Sequence, residues 1–302
     1  LNSTMPKATG RTNCSVTVVF YNEEQSVKIN DLEDRALWLR RELWNMVLRQ
    51  GKGHIPSSYS CAEIIVALYY GGVANITRGQ PQDPNRDRII VSKGHAAMVQ
   101  YPVLADFGFF PESELKRFTQ PGGLLGMYAD FRIPGIEGIS GSLGHGIGMG
   151  SGFALAARQD GRTYNTFVIL GDGECYEGSI WEGAMFASHH KLDNLVAIVD
   201  RNELCILGKT EDLLSLGDLE EKWCSFGWEA VSVDGHSFAE LLEAFSRLGK
   251  TNGKPLSIIA NTIKGNGISY MEGRPEWHNK MPSEDQISIA RIELGLERST
   301  EA

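Results

Sequence analysis

The chain has 302 residues, 42% of them hydrophobic, with 34 glycines and a formal charge of −9, which is ample for one large α/β domain or two small ones. The acidic balance and the lack of a basic block argue against nucleic-acid binding, and no apolar run is long enough to span a membrane. Five cysteines without a CxxC pair, Cys175, Cys205 and Cys224 among them, read as reduced thiols; with no basic segment and apolar stretch at the start, the expected location is the cytoplasm.

Residues 1–26 have no clear periodicity and read as an N-terminal extension, part tag or disordered, with Met5 as the natural start. Within it, SVTVVFY at 15–21 is either a strand or a loosely held arm. Residues 30–50 read as a helix. Asn30 or Asp31 caps it, Glu33 and Asp34 sit in its first turn, and Leu32, Leu39, Leu43, Met46 and Val47 form one apolar face. Gly51 and Gly53 stop it. His54 lies in the connecting turn before Pro56, and Ser57, Ser58 or Ser60 caps a helix that buries Ile64, Ile65, Ala67 and Leu68.

Residues 89–91 predict a short buried strand. Residues 92–95 turn off its end into a helix through Ala96, Ala97 and Val99, so Lys93 and His95 sit where an anion would be welcome. Residues 111–118 read as a capped helix. Glycine density then rises over 121–152. Its first half predicts a loop covering a site; its second half, from 142 to 157, predicts a helix packed unusually close to a neighbour.

Two short apolar runs follow, each ending in charge. The first, 167–170, is closed by GDG at 171–173; the second, 195–199, is closed by Asp200, Arg201 and Asn202. The segment between is helix-compatible, so the pattern is strand, crossover helix, parallel strand. Open α/β sheets bind ligands at the carboxyl ends of such strands. Asp172 and Asn202 then stand side by side as hard oxygen donors, the kind Mg²⁺ takes together with phosphate oxygens. Gly171 and Gly173 leave a diphosphate room to approach, and a helix N-terminus near 174–179 favours an anion. A lone GDG also fits a tight turn with a surface Asp; the second strand-end residue is what points to a cofactor.

Beyond it, residues 206–215 read as a loop and a short helix, 218–228 as a helix ending at Gly227, and 228–233 as a strand. Asp234-Gly235-His236 is a turn, and Ser237 caps a helix holding Leu241, Leu242, Ala244 and Phe245. Residues 255–260 are a last buried strand. Gly265 and Gly267 mark another strand-end turn, with Lys264 a weaker anion candidate. Trp277-His278 ends a loop long enough to fold back over the site, and a short helix follows Ser283.

These segments together resemble the transketolase family. GDG followed about thirty residues later by Asn is similar to its thiamine-diphosphate motif, and Glu177, Gly178, Trp181, Glu182 and Ala184 extend the likeness. So do the SxGH segment at 92–95, PGIEGISGSLGHG at 134–146 and Trp277-His278. The resemblance implies an α/β three-layer sandwich with a mostly parallel sheet, the thiamine-diphosphate-binding fold, with residues 27–302 as its diphosphate-binding domain. It implies that Asp172, Asn202 and the carbonyl of Leu204 bind Mg²⁺. Gly171, Gly173, Glu174 and Asp200 border the cofactor, and Gly141, Leu143 and Gly144 touch its aminopyrimidine side, with Ser142 and His145 nearby. His54, His95 and His278 serve the cofactor and the reacting centre. Glu177 faces the partner half-site in a carboxylate network.

One departure concerns substrate. The family has Gly-His-Pro before the PG segment, whereas this chain has Gly126-Met127-Tyr128. A thioether cannot donate the hydrogen bonds a ketose hydroxyl takes, so His54, Tyr128 and His278 are the substrate-facing candidates alongside Met127. Family members are also more than twice as long. Their pyrimidine-binding and C-terminal domains, with the glutamate that activates the cofactor, are not readable here. The resemblance therefore implies a split enzyme in an α2β2 assembly, inactive without its partner subunit. It would transfer a two-carbon ketol unit from a ketose phosphate to an aldose. Alternatives are transfer to a lipoyl or carrier-protein thiol, a 2-oxoacid dehydrogenase E1-type subunit, or an inert scaffold.

Overall fold

Apolar runs bounded by glycine and polar residues become strands buried on both faces, as parallel sheets require. The computed structural model describes residues 17–18 and 27–297. A small antiparallel pair, β1 (Thr17–Val18) and β2 (Val27–Lys28), comes first. Of the segment 15–21 only the two residues of β1 are described, and the rest of the N-terminal extension lies outside the described residues. The main sheet holds β3 (Arg88–Val91), β4 (Thr166–Gly171), β5 (Leu195–Arg201), β6 (Glu229–Asp234) and β7 (Leu256–Asn261). Its order is β3-β4-β5-β7-β6, and every neighbouring pair is parallel.

The helices are α1 (Ile29–Gln50), α2 (Ile55–Tyr59), α3 (Ala62–Tyr70), α4 (Gln100–Asp106), α5 (Gly146–Gln159), α6 (Gly178–His189), α7 (Thr210–Leu213), α8 (Leu219–Ser225), α9 (Phe238–Phe245) and α10 (Glu284–Glu293). Alternation along the strands divides the core in two. Phe167, Ile169, Val196, Ile198, Leu256 and Ile258 join α1, α3, α4 and α9 on one side. Val168, Leu170, Leu195, Ala197, Val199 and Ile259 join α5, α6 and α8 on the other. The result is the expected three-layer α/β sandwich. Among the described residues no helix is long and apolar enough to cross a membrane.

Several local expectations shift. The first helix starts at Ile29 directly from β2, so Asn30 and Asp31 lie inside its first turn and cap nothing. Ser57 and Ser58 are spent in the separate short helix α2, and α3 starts from Cys61 with no side-chain cap. Residues 112–117 form a 3₁₀ turn rather than an α-helix. The glycine-rich helix begins at Gly146, four positions later than expected, because 142–145 turn into the site. Ser237 does cap α9, accepting the Glu240 N–H, and Ser283 forms a full capping box on α10.

The close packing predicted for the glycine-rich helix is present. A Cβ on Gly150 would lie 2.4 Å from Val168 Cγ2 of β4, and one on Gly183 would lie 2.6 Å from Ile147 Cγ2. Gly148 and Gly152 on the same helix meet nothing within 4 Å. Gly150→Val is therefore expected to lower stability by about 1–3 kcal/mol through overpacking. Gly152→Ala should raise it by up to about 1 kcal/mol in the isolated chain through helix propensity. Urea unfolding of both variants checks the pair, and equal effects would contradict the packing described.

Candidate active site

The parallel register brings the carboxyl ends of four strands to one edge. Val91 pairs with Ile169, Gly171 with Asp200, and Arg201 with Asn261. Beyond β3 the buried Ser92 and Lys93 lead into a 3₁₀ turn over Gly94–Val99. A Cβ on Gly94 would lie 1.7 Å from the Ser140 carbonyl oxygen, so only glycine lets the loop at 140–141 lie against this turn. Beyond β4 comes Asp172, and beyond β5 come Asn202 and Leu204.

Asp172 is 2% exposed. Its Oδ1 accepts the Gly173 N–H (2.8 Å) and its Oδ2 the Glu203 N–H (2.6 Å), which binds the ends of β4 and β5 together. Burial first, and the Asp200 carboxylate second, push its pKa up to about 7. The Asn202 Oδ1 accepts the Leu204 N–H (3.2 Å). The Leu204 carbonyl accepts from Lys264 Nζ (3.0 Å), whose pKa burial brings down to about 8. The donor set suits Mg²⁺: one carboxylate, one amide and one carbonyl are hard oxygens, and Asp172 is a buried anion short of positive charge. Among the described residues no three His, Cys, Asp or Glu side chains gather as a metal set; the expected set contains only one such side chain.

Two residues expected at the cofactor turn inward instead. Asp200 is wholly buried. It forms an ion pair with Lys93 and accepts hydrogen bonds from Ser60 Oγ (2.6 Å), Asn202 Nδ2 (3.2 Å) and Thr262 Oγ1. Burial opposes its charge, yet Lys93 holds its carboxyl below the ordinary range. Lys93 gains in return: burial works against its ammonium, and Asp200 outweighs that. Glu174, 3% exposed, likewise spends both oxygens on protein donors. Both carboxylates are buried and point at protein donors. The helix N-terminus expected near 174–179 is present: a 3₁₀ turn covers Gly173–Tyr176, and α6 starts at Gly178.

Three histidines meet beside this edge. Ring centroids are 5.5 Å apart for His54–His95, 5.3 Å for His54–His278 and 5.0 Å for His95–His278. Burial is the main cause that lowers all three pKa values, with Lys93 next for His95 and Lys264 next for the other two. His95 falls to about 2 and His278 to about 4. All three are neutral rings near neutral pH. The Nδ1 atoms of His54 and His278 are buried without a protein partner. Tyr128, 46% exposed, stands 6.4 Å from His54. Met127 packs against the apolar core, so the residue that meets the histidines is Tyr128.

The glycine-rich loop presents Gly141, Ser142 and Leu143 at the surface and buries Gly144. Gly144 has φ +84°, and a side chain there would strike Ser179 and Glu177. Ser179 Oγ donates to the Gly144 carbonyl (3.0 Å). Glu177 is exposed at the N-cap of α6, and His145 is exposed at that of α5.

Sequence reasoning missed the supports. Ser60 and Thr262 reach Asp200 from the ends of α2 and β7. His236, read only as part of a turn, accepts the Ile263 N–H on Nε2 (2.8 Å) and meets Glu63 Oε2 through Nδ1 (3.0 Å). Arg40 holds Glu63 at 2.7 and 2.9 Å. This chain of bonds anchors the segment that carries Lys264. The signal for it, Asp234 paired with Asn261, exists only once the strand order is known.

The neutral histidines have a consequence for acid stability. Below the ordinary value of about 6.5 the unfolded chain takes up protons that the folded site refuses. Stability contributed by His278 is thus fully present above about 6.5 and is lost as pH falls toward about 4, and the loss through His95 continues to about 2. His278→Gln is expected to narrow the gap between urea midpoints measured at about pH 7 and about pH 5. An unchanged gap would contradict a neutral, buried cluster.

Known proteins resemble this chain in sequence and fold. The family described as "Transketolase, thiamine diphosphate binding domain" matches residues 36–301. An apulose-4-phosphate transketolase subunit of Phocaeicola vulgatus is 38% identical over 268 residues, covering 89% of this chain and 95% of that protein. A 6-deoxy-6-sulfo-D-fructose transketolase subunit of Clostridium sp. (strain MSTE9) is 39% identical, covering 88% of this chain and 97% of its own length. Human transketolase is 38% identical over 264 residues, and the match spans only 41% of it. The crystal structure of Campylobacter jejuni transketolase superposes with a TM-score of 0.84 at 29% identity, covering 89% of this chain and 43% of that one. This chain belongs to the transketolase family, as its thiamine-diphosphate-binding domain.

Proposed function

We propose that this chain is the thiamine-diphosphate-binding subunit of a two-chain transketolase, which moves a two-carbon ketol unit from a ketose phosphate to an aldose. The observation that carries the proposal is the meeting of two sets on one sheet edge. The Asp172, Asn202 and Leu204 oxygens form one and the three neutral histidines the other, and the charge of Lys264 is felt by all three rings. In this reading Asp172, Asn202 and Leu204 hold Mg²⁺, and Gly171 and Gly173 leave the diphosphate its approach. Bound thiamine diphosphate supplies the carbanion chemistry that carbon–carbon cleavage needs. The chain supplies position and proton handling. His54 and His278, each with a free buried Nδ1, orient ketose oxygens and relay a proton. Tyr128 offers the hydroxyl that Met127 lacks.

A partner chain completes this proposal. Relatives of the same length are named as transketolase subunits. Full-length transketolases carry more than half their chain outside the region matched here. The groove between α5 and α6, lined by Gly148, Ser151, Gly152, Glu182, Gly183 and Phe186, suits the second chain. Two exposed helical glycines there cost helix stability and serve nothing inside this chain, but they admit a close neighbour. Glu177 is exposed at the start of α6, where a carboxylate link to the partner half-site fits. Closed symmetry then favours α2β2, and the free thiols of Cys61 and Cys175 support a cytoplasmic setting. Met127, the residue that would suit a thiol acceptor, packs on the core, which favours the aldose.

The test is to co-express the chain with the protein encoded beside it and supply Mg²⁺, thiamine diphosphate, a ketose phosphate and an aldose. The expected product is an aldose lengthened by two carbons, formed by the pair and not by either chain alone. Tyr128→Phe should raise the ketose KM more than it lowers kcat. A two-carbon mass on a protein thiol with no sugar product would replace the aldose acceptor, and no cleavage at all would overturn ketol transfer.

A further inference from the structure

Glu174 sits immediately after the GDG turn, and its buried side chain is spent on protein donors, the Gly171 N–H of that turn among them. Its Oε1 accepts the Ser92 hydroxyl and the Gly144 N–H (2.8 Å), and its Oε2 accepts the Gly171 N–H (3.0 Å). Ser92 Oγ in turn accepts the Gly146 N–H (3.1 Å), so its proton is directed to Glu174. These donors come from three separate segments. Ser92 follows β3, Gly144 and Gly146 open α5, and Gly171 ends β4. A Cβ on Gly146 would lie 2.3 Å from Ser92 Oγ, which shows how tightly the turn is drawn in.

We propose that Glu174 is the positioning residue of the cofactor cradle: one buried carboxylate clamps the glycine-rich loop and the SxGH turn onto the GDG strand end without itself touching the cofactor. The proposal rests on the cofactor reading given above. Its chemistry demands a carboxylate. Three donors converge on two oxygens, so an amide must set its NH₂ against either the Gly171 N–H or the Gly144 N–H, a donor against a donor. Aspartate, one methylene shorter, cannot span all three segments. The clamp sets the gap between the diphosphate side of the cradle, at 171–173, and the aminopyrimidine side, at 141–144.

The test uses the full chain, alone for hydrogen exchange and co-expressed with its partner chain for cofactor binding, as wild type, Glu174→Gln, Glu174→Asp, Ser92→Ala and Asp87→Asn. Asp87 is the matched control. It is a carboxylate 2% exposed that accepts the Asn75 and Asn165 N–H groups (2.8 and 2.7 Å) at the opposite end of β3. Amide hydrogen exchange over 141–148 and 171–174 should speed up about tenfold or more in both Glu174 variants, less in Ser92→Ala, and not in Asp87→Asn. Thiamine diphosphate binding in Mg²⁺ should weaken about 10- to 100-fold in the Glu174 variants, the range for lost outer-shell partners. Asp87→Asn should lower the thermal midpoint and leave that affinity alone. Unchanged exchange in both Glu174 variants would overturn the clamp. Faster exchange with unchanged cofactor affinity would overturn its positioning role. A wild-type complex of the two chains that binds no thiamine diphosphate would instead sink the cofactor reading, and the exchange data alone would then decide the clamp.

Discussion

Lys93 and Asp200 form an ion pair without access to water behind the carboxyl ends of the central strands. Burying two charges costs several kcal/mol per ion unless geometry and hydrogen bonds make up for it. Here they do. Ser60, Thr262 and Asn202 take up the remaining capacity of Asp200, and Lys93 Nζ also donates to the Ser57 carbonyl (2.8 Å). The pair thereby ties α2, β3, β5 and β7 into one rigid edge. It also orients the Asn202 amide, whose nitrogen is committed to Asp200, so that its oxygen is the atom left for a cation.

Against that background the three acidic residues of the site divide sharply. Asp200 has an ammonium, and Glu174 has three donors. Asp172 has two backbone N–H groups, yet burial first and the like-charged Asp200 second push its pKa up. Positive charge is therefore wanted beside Asp172. Lys264 partly answers, through the Leu204 carbonyl beside Asp172. Its own pKa is lowered by burial, so it is an incomplete counter-charge, and a divalent cation fits where it falls short. The histidines complete the division of labour. Kept neutral by burial, they offer hydrogen-bonding rings and not charge.

The sheet, its two apolar faces and the place of Asp172 and Asn202 beyond the ends of two adjacent strands were all legible in the sequence, because strand runs and strand-end turns are local signals. The histidine cluster was legible only through family resemblance: nothing in the spacing of His54, His95 and His278 says that they meet. What remained hidden was directional. Glu174 and Asp200 stand beside motif residues, and adjacency in sequence does not tell whether a carboxylate faces a ligand or the core. Met127 misled for the same reason. Its neighbour Tyr128 is the ring that stands beside His54, while Met127 packs on the core. Ser60, Thr262 and His236 come from elements that meet only after the sheet order β5-β7-β6 is set, and no local pattern encodes that.

The central claim, a cation held at the joined ends of β4 and β5, is tested most directly by Mn²⁺ in place of Mg²⁺. Crystals of the chain with thiamine diphosphate and its partner chain would be measured for anomalous scattering. The account predicts one peak per site, bounded by the Asp172 carboxylate, the Asn202 Oδ1 and the Leu204 carbonyl, with Lys264 Nζ moved off that carbonyl. A peak elsewhere, or a Leu204 carbonyl still bonded to Lys264 with the cofactor in place, would contradict it.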